Sequence, residues 1–346
     1  MTGRQRAYVA YGLAIAVVAL LLAAVFALLL LRDEHTPVRG DLIAYSCKEL
    51  RNPWYAICVM RSDGTESRRL TSRVETTDPA WSPDGRKIAF TRNEEVGEST
   101  TFTADDVFVM DADGSDLRRL TPDEDGMTSG QPAWSPDGQE IAFIRGQSVA
   151  SVVGAATALR FGDLVVMRAD GGERRPLTRG TDASPAWSPD GREIAFVRGY
   201  DLNQPTGGMD LYAVDAAGGT PRRLTSTPKL HETAPAWSPD GGWVAFVRAP
   251  ESAPYDGKAA IFVVRRDGSG ERLVLEHRYY AYTSYGLSWS PDGKSLVFEM
   301  SPSRLCTAVA AVGVDGGSPR ALTSCTRPRE SALGPAWQPA SDADAR

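Results

Sequence analysis

The sequence predicts an all-β domain: a six-bladed β-propeller closed by its own two ends, preceded by one N-terminal transmembrane helix. Three observations predict it: a seven-residue motif at a near-fixed period, β-type alternation after each copy, and an uncharged apolar run near the start. Pro-Ala-Trp-Ser-Pro-Asp-Gly stands complete at 79–85, 132–138, 185–191 and 235–241. A variant, Leu-Ser-Trp-Ser-Pro-Asp-Gly, fills 287–293, and a shortened copy, Pro-Ala-Trp-Gln-Pro, fills 335–339. Trp81, Trp134, Trp187, Trp237, Trp289 and Trp337 are therefore 53, 53, 50, 52 and 48 residues apart. A period near fifty marks a repeat architecture, in which each unit buries its apolar faces against its neighbours.

Within a repeat, the Trp segment reads as a first strand. Ser-Pro-Asp-Gly suits a type I turn, with Ser at the first position, Pro presetting φ at the second and Gly at the fourth. A second strand alternates beyond it: Ile88-Ala89-Phe90, Ile141-Ala142-Phe143, Ile194-Ala195-Phe196, Val244-Ala245-Phe246 and Leu296-Val297-Phe298. A third strand (Val107 to Met110, Leu164 to Met167, Leu211 to Val214, Ile261 to Val264) ends in a turn such as Asp113-Gly114, Asp170-Gly171 or Asp267-Gly268. A fourth reads Arg118-Arg119-Leu120-Thr121 or Arg222-Arg223-Leu224-Thr225. Four short antiparallel strands per repeat make a propeller blade.

The ends set the expected blade count. Leu42 to Ser46 matches a second strand with no Trp strand before it, and Pro335 to Trp337 is a first strand with nothing after it. Pairing them completes a sixth blade and removes the open edges of an unclosed array. Residues 41–340 then form the propeller, at 50 residues per blade, with 341–346 as a tail.

These motifs resemble the WD40-like repeats of TolB-family propellers, which also occur in relatives of prolyl oligopeptidase. The resemblance covers nearly everything after residue 40 and implies the fold; propellers host many functions, so it implies little about activity. TolB carries an α/β domain ahead of its propeller, and oligopeptidases append a hydrolase domain with a nucleophile elbow. Neither pattern stands in this sequence, and Gly-x-Ser-x-Gly is absent. The expectation is a TolB-like propeller without enzymatic activity and without a part in a Tol-type envelope machine.

Residues 7–31 carry no charge, and Arg4 and Arg6 precede them. As a helix this run spans about 37 Å at 1.5 Å per residue, enough for a hydrocarbon core of roughly 30 Å. It is too long for the apolar region of a signal peptide, and no small-x-small site follows it. Residues 1–6 then form a cytoplasmic stub, 7–31 the transmembrane helix and 32–40 a polar stalk. Lys and Arg lie on both sides of the helix, so their count does not settle orientation. The purely positive stub and the four Cys favour an extracytoplasmic propeller on a single-pass membrane protein.

Four Cys allow three pairings. Cys47 and Cys58 fall on neighbouring strands of the closing blade, and Cys306 and Cys325 flank the outer strands of the last one. Those two bridges are the expected ones, with free buried thiols as the alternative. The spacings do not suit a structural metal.

A net charge of −6 without a basic cluster argues against nucleic acid. Asp111, Asp113 and Asp116 only echo a calcium loop, since the Gly is misplaced for one. No residue is marked as a catalytic nucleophile, and neither a cofactor nor a metal is expected. The six Trp, at identical blade positions, are expected to pack between blades rather than to stack on sugars.

The tight turns repeat, whereas the second-to-third and blade-to-blade connections differ in every repeat. In an up-and-down propeller those two classes share one face, and variable loops on a rigid scaffold are where binding sits. The richest is Glu276 to Tyr285, holding His277, Arg278, Tyr279, Tyr280, Tyr282 and Tyr285. The loops Ser226 to Ala234 and Ser324 to Gly334 add His231, Arg327 and Arg329. Aromatic and Arg residues of this kind dominate recognition hot spots. The expected function is a scaffold that binds a protein or peptide on this face. A small-ligand or glycan receptor in the central funnel is the alternative, followed by a metal-assisted hydrolase using His231, Glu232, Glu276 and His277.

Overall fold

The computed structural model describes residues 41–48, 54–72, 75–93, 105–122, 127–147, 161–199, 208–250, 258–278, 286–303, 306–324 and 331–340. The expected stub, transmembrane helix (7–31), stalk and tail lie outside them. Among the described residues no helix is long and apolar enough to cross a membrane.

The chain opens with β1 (Leu42–Lys48), β2 (Ala56–Arg61) and β3 (Arg68–Arg69). Three quartets follow. The first is β4 (Thr76–Trp81), β5 (Lys87–Asn93), β6 (Asp105–Asp111) and β7 (Arg118–Arg119). The second is β8 (Met127–Trp134), β9 (Glu140–Gln147), β10 (Asp163–Arg168) and β11 (Arg175–Pro176). The third is β12 (Asp182–Trp187), β13 (Glu193–Arg198), β14 (Asp210–Asp215) and β15 (Arg222–Arg223). Then come β16 (Leu230–Trp237), β17 (Trp243–Pro250), β18 (Lys258–Arg265) and β19 (Arg272–Arg278). The last strands are β20 (Leu287–Trp289), β21 (Ser295–Ser303), β22 (Cys306–Gly313), β23 (Arg320–Ala321) and β24 (Ser331–Trp337).

The fold is an all-β propeller, but its sheets differ from the six separate blades the repeats predict. Four quartets, β4–β7, β8–β11, β12–β15 and β16–β19, are separate antiparallel sheets. The other eight strands form a single sheet. Its cause is local: β21 runs to nine residues, β22 to eight, and Thr307 of β22 bridges in parallel to Ser331 of β24. Within this sheet β24 pairs antiparallel with β1, placing Ile43 opposite Trp337 and Lys48 opposite Ser331. The two ends of the described chain thus meet in one ladder.

The alternation in the second strands has a direct packing reason. Ile88, Ala89 and Phe90 are all fully buried because both faces of the strand are covered. Ile88 and Phe90 pack with Ala44, Ile57 and Val59 of the preceding strands, while Ala89 joins Ile141 and Phe143 of the following quartet. The same handover runs from Ala142 to Phe196, from Ala195 to Phe246, from Ala245 to Phe298, and from Val297 to Ile43 and Tyr45. The cores lie between sheets, and burying one such aromatic contributes about 1.5–3 kcal/mol.

The turns form as the residues dictate. Gly85 N–H donates to the Ser82 carbonyl at 2.8 Å, and the Ser82 hydroxyl donates to Asp84 at 2.6 Å. Equivalent bonds recur at Ser135, Ser188, Ser238 and Ser290. The Ser hydroxyl and a backbone N–H hold the carboxyls of Asp137, Asp240 and Asp292 below the usual carboxylate range; at Asp190, Arg266 has the largest effect. A depressed folded-state pKa contributes stability that is present above about pH 4 and lost as pH falls through the folded value. Denaturant midpoints should therefore hold near neutrality and drop below about pH 4. A midpoint unchanged down to pH 2 would contradict this.

Cys47 and Cys58 form a disulfide with Cα atoms 5.8 Å apart, joining β1 to β2. Cys306 is disulfide-bonded as well. Cys325, its expected partner, lies outside the described residues.

Candidate functional site

All six Trp segments border one central cavity of about 660 Å³. A β-bulge precedes the Pro in β4, β8, β12 and β16. It places Asp78, Gln131, Ser184 and Ala234 at φ of 51–55°, a conformation L residues rarely adopt. The cavity rim is lopsided as a result. Asp78, Gln131 and Ser184 make one side polar, while Ala234, Gly286 and Gly334 make the other small and apolar. Asp78 accepts from the Thr91 hydroxyl at 2.9 Å, and Gln131 accepts from the Ser184 N–H at 2.8 Å. Among the described lining residues Asp78 is the one ionisable group, so nothing there pairs an acid with a base.

The apolar side is where two backbones press together. A Cβ on Gly286 would lie 2.1 Å from the Gly334 Cα, whereas one on Gly334 meets nothing within 4 Å. Gly286→Ala is expected to cost about 3 kcal/mol or more through overpacking, and Gly334→Ala, at φ 55°, about 1–2 kcal/mol. Equal denaturant midpoints for the two variants would contradict the close approach.

The tryptophans are inter-sheet fasteners. The indoles of Trp81, Trp237 and Trp289 donate to the carbonyls of Ala336, Ala186 and Ala236 at 3.2, 3.1 and 3.0 Å. A second set of ties escaped the sequence reading. The first Arg of the fourth strand reaches a carbonyl of the next quartet: Arg68 to Ala112, Arg175 to Ala216, Arg222 to Arg266, Arg272 to Val314, and Arg320 to Asp63. The Thr three residues on receives a third-strand N–H, at 2.8–3.2 Å for Thr71, Thr121, Thr178, Thr225 and Thr323. The recurring Arg-Arg-Leu-Thr was the signal; its partners are too far along the chain for local pattern to name.

Ion pairs brace the strand ends that lead to the long connections. Asp182 is fully buried and takes Arg198 at 2.5 and 2.8 Å. Arg119 bonds Asp106, and Arg223 bonds Asp210. Glu232, also fully buried, receives Arg248 at 2.6 Å, the Thr227 hydroxyl at 3.0 Å and the Thr225 hydroxyl. Burial pushes the Glu232 carboxyl up, against the pull of Thr225 and Arg248. Arg248 also binds Glu271 and lies 4.4 Å from the centre of the Phe262 ring.

The sequence expectations for the binding residues divide accordingly. His231 and His277 are not in loops: the structure places them in β16 and β19, because the bulges obscure where alternation begins. His231 pairs with Ala249 and His277 with Ala259, so they occupy one row of the sheet three strand spacings apart, or about 14 Å. Glu232 and Glu276 occupy the next row, and these four residues are not brought to one point. Among the described residues no group of three or more His, Cys, Asp or Glu is placed to hold a metal ion. Arg278 ends β19. Tyr279, Tyr280, Tyr282, Tyr285, Arg327 and Arg329 lie outside the described residues.

Comparison with known proteins agrees with this architecture. The TolB of Gluconobacter oxydans is 38% identical over 112 residues, covering 32% of this chain and 22% of that protein. An uncharacterized peptidase of Bacillus subtilis, YuxL, is 32% identical over 128 residues, covering 36% of this chain and 17% of the peptidase. The matched segments thus span about a fifth of those relatives. Among solved structures, TolB from Acinetobacter baumannii superposes with a TM-score of 0.66 at 22% identity, over 88% of this chain and 69% of that one, a likeness of fold. The family model described as the TolB beta propeller domain matches residues 161–342. With inter-sheet cores, fastening tryptophans and that match over more than half its length, the chain belongs to the TolB β-propeller family.

Proposed function

We propose that this chain is a membrane-anchored, extracytoplasmic scaffold that binds a protein or peptide on its variable-loop face, its eight-stranded sheet serving as two blades of a six-bladed ring. One observation carries the reading: the two ends of the strands are built differently. At one end the Ser-Pro-Asp-Gly turns repeat with the same internal bonds. At the other, buried pairs such as Asp182–Arg198 and Glu232–Arg248 stiffen the roots of connections that differ in every repeat. Rigid roots beneath variable loops favour recognition over chemistry. The ring reading rests on the six Trp segments around one cavity and on the Arg320 tie back to Asp63.

Among the described residues the cavity rim has one ionisable group, Asp78, itself bonded to Thr91, which gives little purchase for a charged small ligand. Anchoring and side rest on the 7–31 run and the disulfide chemistry. Protease added to intact cells tests them: digestion of the propeller is the expected result, and full protection would contradict an extracytoplasmic location. Loss of partner crosslinking when Arg278, Tyr279 and Tyr280 are replaced by Ala tests the surface.

A further inference from the structure

We propose that the corner formed by Trp243, Arg265 and Arg272, at the tight-turn end of the β16–β19 sheet, is a receptor for a carboxylate carried by an acidic polypeptide segment. The repeats themselves supply the chemistry. In two quartets, the residue that opens the second strand is a Glu, and it binds the first Arg of the fourth strand: Glu140 takes Arg175 at 3.0 Å and Glu193 takes Arg222 at 3.0 Å. In the β16–β19 sheet the matching position is Trp243, so the Arg at the matching place, Arg272, has lost its internal carboxylate. Arg272 instead lies 5.5 Å from the centre of the Trp243 ring and gives one N–H to the Val314 carbonyl.

A second charge stands beside it. β6 and β14 end in Asp111 and Asp215, and β10 ends in Arg168, which pairs with Asp170 and Glu173; β18 ends in Arg265, directly opposite Trp243 in the ladder. Arg265 is exposed and lies 5.4 Å from the Trp243 ring centre. Among the described residues neither Arg265 nor Arg272 makes an ion pair. The neighbouring Asp267 is occupied by the Ser269 N–H at 2.8 Å and contributes only a through-space attraction to Arg265. Arg222 and Arg266, by contrast, are already bound to Glu193 and Asp190. An open cavity of about 470 Å³ lies against Arg222, Gly242, Arg265, Arg266 and Asp267.

The corner therefore holds two guanidiniums beside an indole, and one of them, Arg272, stands where Arg175 and Arg222 each take a carboxylate in their own quartets, with that carboxylate missing. Guanidinium forks match carboxylates geometrically, and the indole offers an apolar surface to the chain carrying the acid. This site is on the turn end, away from the variable loops, and stands or falls independently of the loop-face reading.

The test titrates a fluorescein-labelled hexaglutamate peptide into the full chain at low salt, read by fluorescence anisotropy. Trp243→Glu restores the internal acid found in the two other quartets and is expected to weaken binding at least tenfold. Arg265→Ala is expected to weaken it severalfold. Leu117→Glu, which adds the same charge at an exposed position in the turn before β7, is expected to leave binding within twofold. Equal binding by the wild type and Trp243→Glu, or equal loss in Leu117→Glu, would overturn the proposal. So would displacement of the peptide by inorganic phosphate at matched ionic strength, which would assign the corner to phosphate.

Discussion

Removal of residues 331–346 is expected to cost the propeller its single cooperative unfolding transition. The segment contains β24, whose ladder with β1 joins the two ends of the described chain. It also supplies the Ala336 carbonyl bonded by Trp81, and Gln338, whose side chain donates to the Gly85 carbonyl at 3.1 Å. Leu333 is 1% exposed, so its loss alone forfeits about 2 kcal/mol of burial. Total stability is about 5–15 kcal/mol for a native protein, and the truncation also bares the edge of β1 as a template for association. Calorimetry should show a broad, early transition with aggregation. A truncated chain that unfolds like the full one would show that β24 does not close the structure.

The second large effect is expected at the buried pair beneath the loops. Arg248→Ala leaves the Glu232 carboxylate with hydroxyl and backbone donors but no cation, in a site that is fully buried. Breaking one half of a buried pair costs about 3–5 kcal/mol, and this variant also loses the packing of Arg248 on Phe246 and Phe262. The pH dependence carries a sign. Burial already raises the Glu232 pKa, and without Arg248 it rises further. An acid whose folded-state pKa is raised gives stability that is present below its unfolded value and lost as pH rises through the folded one. The deficit of Arg248→Ala relative to the wild type should thus be smaller near pH 4.5 than near pH 8. A deficit independent of pH would show that packing, not the uncompensated charge, sets the cost.

Much of the fold was legible because the repeat writes its local rules in sequence. Ser-Pro-Asp-Gly specifies a turn by the conformational limits of Pro and Gly, and Ile-Ala-Phe specifies a strand buried on both faces. The pairing of Leu42–Ser46 with the last Trp segment followed from counting incomplete repeats, and the Cys47–Cys58 bridge from strand adjacency. What the sequence hid depends on distance or on irregularity. The αL bulges at Asp78, Gln131, Ser184 and Ala234 break alternation, so His231 read as a loop residue although β16 already includes it. The length of β19 was invisible for the same reason: Arg272-Leu273-Val274-Leu275 replaces the usual Arg-Arg-Leu-Thr and keeps pairing to Arg278. The joining of two quartets hangs on one bridge, Thr307 to Ser331, and the Arg-to-carbonyl ties cross between repeats. The first leaves no local trace, and the second shows only as the recurring Arg-Arg-Leu-Thr, which does not name its partners.

The proposed binding face is tested most directly by photo-crosslinking the full-length protein in the cells that make it, comparing the wild type with a variant carrying Arg278→Ala, Tyr279→Ala and Tyr280→Ala. Truncating an interface anchor costs about 2 kcal/mol or more at a hot spot, so the triple change should abolish the specific crosslinked species. Thermal unfolding of the purified variant should stay close to that of the wild type, since the cores lie between the sheets. Loss of the crosslink with unfolding unchanged is the predicted result. An undiminished crosslink in a folded variant would contradict the loop face as the site of function.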